Sequence, residues 1–176
     1  MKFVIKKGGD DKDFVFNEER LPILIHGEEG SGASFFSVCV AAQYYLNGSK
    51  LIFFSLKEAA KEEFKKIIAN REGDVIFCPS GNSDKALEII SSADSGYLIF
   101  IKNIEETLTR ELLSLIMSRK FILSGDLDKS ILKDQIMNLD FETKIAFSRS
   151  ALFPPFNVNK HEGVFNTVNS IIKVIK

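Results

Sequence analysis

The stretch with the clearest chemistry is Gly27-Glu28-Glu29-Gly30-Ser31-Gly32-Ala33-Ser34, which follows the apolar run Ile23 to Ile25 and leads into a helix-like segment. Glycines at this density let backbone N–H groups turn inward into a concave anion site, at the positive end of the helix that follows. The alternative is a glycine-rich strand-to-helix turn that binds nothing.

A second group follows the apolar run Tyr97 to Ile101: Lys102, Asn103, Glu105 and Glu106. Glu105 and Glu106 offer a general base, or they favour the positive start of the next helix. Lys57 ends another apolar run. His26 and His161 lie far apart with no companion ligand, so neither a metal site nor a nucleophile–histidine pair is expected, and His26 reads as a hydrogen-bonded strand-end residue. Cys39 and Cys78 sit in apolar runs without a CxxC pair and read as reduced core residues of a cytoplasmic protein.

The elements that must position these groups alternate regularly. Continuous apolar runs recur at Ile23 to Ile25, Leu51 to Phe54, Val75 to Phe77, Tyr97 to Ile101, Phe121 to Leu123 and Ile145 to Phe147, as expected for strands covered on both faces. Helical spacing appears between them, at Ala60, Phe64, Ile67 and Ile68 and at Leu108, Leu112, Leu115 and Ile116. It recurs at Val164, Val168, Ile171, Ile172 and Ile175. Ser34 to Leu46 is apolar nearly all round. The pattern predicts an α/β fold with a three-layer, doubly wound, mainly parallel sheet. Phe3 and Ile5, then Phe14 and Phe16, flank a Gly-Gly-Asp-Asp turn and predict a small N-terminal β-hairpin. One domain is expected: the hairpin over 1–18, a core over 20–150, and a C-terminal helix over 160–176 after the irregular loop Phe153-Pro154-Pro155-Phe156.

With 176 residues, 45% hydrophobic and 27% charged, the chain has the composition of a single globular domain with a sizeable core. A net charge of −1 supplies no electrostatic support for nucleic-acid or membrane binding. No apolar run reaches membrane-spanning length, and the start MKFVIKKGGDDKD does not read as a signal peptide.

The loop resembles that of the P-loop NTPases, G-x-x-x-x-G-K-[ST]: Gly27, Gly32 and Ser34 match, while Ala33 stands in place of the lysine. The family also ends a later strand in a magnesium-holding acid, and Lys102 occupies that position here. Within the family, the order of elements over about residues 20–150 resembles the RecA and FtsK/HerA branch. Leu51 to Glu58 looks like the second strand of KaiC-like ATPases, Ser124 stands where that branch keeps a sensor, and Lys144 to Arg149 is similar to the last core strand of FtsK-like motors. The resemblance implies ATP or ADP as ligand. It places Gly27, Glu28, Glu29, Gly30, Ser31, Gly32, Ala33 and Ser34 at the nucleotide and Ser34 on magnesium, although a lysine at 102 disfavours that ion. It also offers Arg149 as an arginine finger across a subunit interface, or else a surface arginine. Lys102 either holds a phosphate without metal or forms a salt bridge to Glu28 or Glu29.

A dinucleotide-binding reading of Gly30-Ser31-Gly32-Ala33-Ser34-Phe35 is weakened by Phe35 at the third glycine position, with Glu58 as the only ribose partner. The leading expectation is a pseudo-ATPase, a binding or structural subunit that works through a protein partner or an oligomeric machine. The rival is an active NTPase in which Lys102 replaces the loop lysine and Glu105 is the base. A nucleic-acid-binding component would need a basic face that composition does not supply.

Overall fold

The computed structural model of the protein describes residues 2–7, 10–69, 71, 73–80, 82–147, 163–165 and 170–175. Among these, ten strands form one sheet: β1 (Lys2–Lys7), β2 (Asp10–Phe14), β3 (Ile23–His26), β4 (Leu51–Phe54), β5 (Val75–Phe77), β6 (Leu98–Lys102), β7 (Phe121–Gly125), β8 (Thr143–Ala146), β9 (Gly163–Phe165) and β10 (Ser170–Ile175). The helices are α1 (Ala33–Leu46), α2 (Glu58–Ile68), α3 (Ser83–Ser92), α4 (Ile104–Thr107), α5 (Arg110–Ile116) and α6 (Lys133–Met137). Strand order is β2-β1-β10-β9-β8-β3-β7-β6-β4-β5. All six apolar runs of the sequence are strands. They pair in parallel from β8 to β5, making an α/β half with helices packed on both sides.

Which helix covers which face follows from chain direction. From β3 to β4 and on to β5 the chain moves towards one edge of the sheet, and α1 and α2 join the core cluster of Ile23, Ile25, Phe53 and Phe100. From β5 back through β6 and β7 to β8 it moves the other way. The helices on that return, α3 to α6, bury Ala86, Ile90, Ile104, Leu112 and Ile136 against Leu24, Ile52, Ile99 and Leu123. Parallel strands are joined by right-handed crossovers, so a reversal of direction moves the connecting helix to the opposite face. The two clusters draw on alternate residues of each strand, the period of a pleated sheet.

The sheet then continues as an antiparallel half. The hairpin expected at the N-terminus forms as β1 and β2, pairing Phe3 with Phe14 and Ile5 with Lys12. It is not isolated: β1 also pairs with β10, β10 with β9, and β9 with β8. The C-terminal helix expected over 160–176 is therefore corrected, because the described residues of that stretch are the strands β9 and β10. Its apolar residues have helical spacing, but they are largely β-branched, a type that suits a pleated surface. The edges of β8 and β1 would otherwise present unpaired N–H and C=O groups, and β9 and β10 satisfy them. A smaller correction concerns Leu108 to Ile116. The run is split into α4 and α5 because Thr109 caps a fresh helix by accepting from Leu112 N at 3.2 Å, leaving Leu108 outside both. The loop Phe153-Pro154-Pro155-Phe156 lies outside the described residues.

The two halves meet through α1, which is buried nearly all round as its composition suggests. Phe36 touches Phe3 of the hairpin (5.2 Å between centroids), Phe16 after it (6.1 Å) and Phe147 after β8 (4.9 Å). Tyr44 Oη donates to Asn17 O at 2.6 Å, and Phe16 N donates to Gln43 Oε1 at 3.1 Å. Truncation of a buried phenylalanine costs about 3–5 kcal/mol. Phe36→Ala should therefore lower unfolding free energy by that order in urea titration, with hydrogen exchange in β1 and β2 accelerating more than in β4 and β6.

Candidate functional site

Parallel register sets the level of the site. Ile25 lies beside Ser124, Ser124 beside Lys102, and Ile101 beside Phe54, so the carboxyl ends of β3, β7, β6 and β4 form one rim. Ligands of open α/β sheets bind at such a rim. A cavity of about 310 Å³ lies on it, and it gathers most of the groups singled out from sequence. Gly27, Glu28, Glu29, Gly30, Gly32, Ala33 and Ser34 line one wall; Lys57, Lys102 and Glu105 contribute to the rest.

The loop is held by local geometry. Gly27 N donates to Gly125 O at 3.1 Å, and Phe147 N donates to His26 O at 2.9 Å, fixing the exit of β3 between its neighbours. Gly30 and Gly32 take φ of 81° and 99°, left-handed values that favour glycine. A Cβ on Gly27 would lie 2.5 Å from Ser31 Oγ and 2.6 Å from Ala33 Cβ, so the turn closes only around glycine. Ser31 N donates to Glu28 O at 3.2 Å, and Ser31 Oγ accepts from Ala33 N at 3.4 Å. Ala33 opens α1, is buried, and has no side-chain cation to reach an anion. No acidic residue occupies the first turn of α1, which leaves its positive end uncompensated by its own side chains.

Strand alternation aims Lys102. Leu98 and Phe100 face the α1/α2 side, so Lys102 does as well, and it is only 4% exposed. Burial, then the nearby Lys57 charge, pulls its pKa below the usual lysine value, against the opposing pull of Glu105, Glu63 and Glu106. None of the ion pairs recorded among the described residues involves Lys102. The carboxylates that act most on Lys102 come from α4 and α2. Glu105, in the first turn of the four-residue α4, accepts from Asp126 N at 2.9 Å through Oε2. Its carboxylate fills the space against Gly125, where a Cβ would also meet Ile104 N at 2.7 Å.

On the other half of the rim, sequence reasoning named Asn103 without a role and missed Asp126 and Lys129. Asn103 adopts the left-handed conformation (φ 63°) and accepts from Ser55 Oγ at 3.3 Å. Asp126 pairs with Lys129 at 3.1 Å, and both line the cavity. The usable signal was Gly125-Asp126 directly after an apolar strand, since turn residues at the carboxyl end of a parallel strand lie on the binding rim. Arg149 and His161 lie outside the described residues.

His26 faces the opposite side from Lys102. Its Nδ1 accepts from Leu127 N at 2.9 Å, which leaves the proton of the neutral ring on Nε2, 3.5 Å from Asp128 Oδ2 and without a hydrogen-bond partner. His26, Asp126 and Asp128 could each offer one ligand atom to a metal, these atoms lying within 4.8 Å of one another. The fit is poor: Nε2 presents a proton rather than a lone pair, and Lys129 and Lys133 already pair with the two aspartates. The cysteines are free and buried, and burial pushes the Cys78 thiol up to about 11, so it is no nucleophile at neutral pH. Glu58 is engaged by Ser80 Oγ at 2.9 Å and Lys61 at 3.2 Å, away from any ribose role.

No protein-family model matches the chain, and no curated protein matches it by sequence. Among the described residues no helix is long and apolar enough to cross a membrane.

His26 supplies a pH test. Burial, the largest influence, holds its pKa below the ordinary 6.5 despite Asp128 and Asp126. The unfolded chain therefore takes up the proton first, and stability falls as pH drops below about 6.5. Urea midpoints between pH 8 and pH 5 should decline in the native protein, and the decline should be shallower in His26→Gln.

Proposed function

We propose that the chain is a degenerate P-loop NTPase-like domain, related to the RecA and FtsK/HerA-like branch, that serves as a binding or structural subunit without hydrolysing ATP. The observation that carries this reading is the pairing of changes on one rim. The loop position that would supply a phosphate-binding lysine is the buried Ala33, and the strand end that would supply a magnesium-holding acid is the buried Lys102. Hydrolysis of a nucleoside triphosphate needs charge placed on the transferring phosphoryl group and a metal on its oxygens. Neither is furnished here in the usual way.

Support for the phosphate-loop part comes from strand, glycine turn and fourteen-residue helix in direct succession, with the turn lining a cavity at the carboxyl rim of a parallel sheet. A cytosolic subunit of this kind works by contact with an active ATPase or an oligomeric, translocation-type machine. Incubation of the pure protein with ATP and magnesium should release no phosphate above the protein-free rate. Turnover that is abolished by chelating magnesium sinks the proposal.

A second reading has its own observation, since Lys102 and Glu105 line the same cavity as the loop. In that reading Lys102 replaces the loop lysine and Glu105 acts as the base. It requires both turnover and its loss in Glu105→Gln, a pair of results that the first reading forbids.

A further inference from the structure

Beside the loop cavity lies a second one of about 430 Å³, running along the start of α2 past Ala59, Ala60, Glu62, Glu63 and Lys66. Three residues line both: Ser34, Lys57 and Lys102. They stand where the positive end of α1 meets the rim. Lys102 is the telling member. It is more than nine-tenths buried, it lines both cavities, and among the described residues it forms no ion pair. Desolvating an ammonium is costly, and here the Lys57 charge adds to that cost against the opposing pull of Glu105, Glu63 and Glu106. An anion set between the two relieves both terms at once.

Glu63 and Glu106 act on Lys102 from α2 and α4, while Glu105, Asp126 and Glu62 nearby are engaged. Glu105 Oε2 is taken by the backbone N–H of Asp126, and Asp126 is paired with Lys129. Glu62 is paired with Lys65 on the outer side of α2 at 2.7 Å. Ser34, Lys57 and Lys102 are the three groups common to both cavities. A lysine at the place of a metal-holding acid, with Lys57 beside it, favours an anion that arrives without a divalent cation.

We propose that Ser34, Lys57 and Lys102 seat a phosphoryl group of a phosphorylated small molecule, bound without metal, at the junction of the two cavities. The rest of the ligand extends from that seat into one of them. This rests on the reading of the glycine turn as a phosphate loop, but it does not depend on the absence of hydrolysis.

Isothermal titration of the full chain with pyrophosphate and with ADP, each in EDTA and in excess magnesium, tests it. Saturable binding in EDTA is expected, with affinity not improved by magnesium, and roughly ten- to hundredfold weaker in Lys57→Ala and in Lys102→Met. Lys57 is exposed, so its variant decides the question if Lys102→Met melts early. Binding that appears only with magnesium overturns the metal-free seat and leaves the loop standing as a nucleotide site. Binding in EDTA that neither variant weakens also overturns it, because the anion then sits elsewhere. Failure of both probes under both conditions overturns it as well, while the non-hydrolysing structural role is judged separately by the phosphate-release assay.

Discussion

Right-handed crossovers between parallel strands govern this molecule more than any single contact. The chain leaves β3 in one direction, reverses after β5 and passes back across β3 to reach β8. That reversal splits the helices into α1 and α2 on one face and α3 to α6 on the other. It also sends the connection after β3 and the connection after its neighbour β7 to opposite faces, so the turn after β3 opens onto the rim. The glycine turn, the start of α1 and the ends of β6 and β7 meet there because the topology leaves that place open.

Within this frame, pleat alternation sorts the chemistry. Lys102 and His26 both end strands, yet one faces α1 and the other faces the turn after β7. The difference is one of parity along the strand. It produces two environments a few residues apart: a desolvated ammonium beside a cavity, and a neutral imidazole held by a backbone N–H. Burial lowers both pKa values, and it does so for the same reason, since both groups charge by gaining a proton.

Much of this was legible in the sequence. The six strands of the parallel half announced themselves as continuous apolar runs, and α1 by its uniform apolarity. The glycine turn and Lys102 were recognisable as one site because both follow such runs. Less legible were features decided by distant pairing. Ile171, Ile172 and Ile175 have helical spacing, and only the open edges of β1 and β8 make them strand residues. The partners of Lys102 were also hidden, since Glu63 and Glu105 come from helices on opposite faces of the sheet. Local capping by Thr109, which divides one apolar stripe into two helices, was available in the sequence but outweighed by the periodicity.

The pairing of β1 with β10 has a temporal side. Lys2 lies against Ile175, so one edge of the hairpin is completed by residues far along the chain. Loop-closure entropy and high contact order make such a contact slow to form, whereas the β3-to-β8 half is built from nearer neighbours. During vectorial synthesis the hairpin waits with an unpaired edge on β1 until β10 emerges. The rim that carries Ser34 and Lys102 can therefore assemble before the sheet is finished, and the antiparallel half acts as a closing clasp rather than a nucleus.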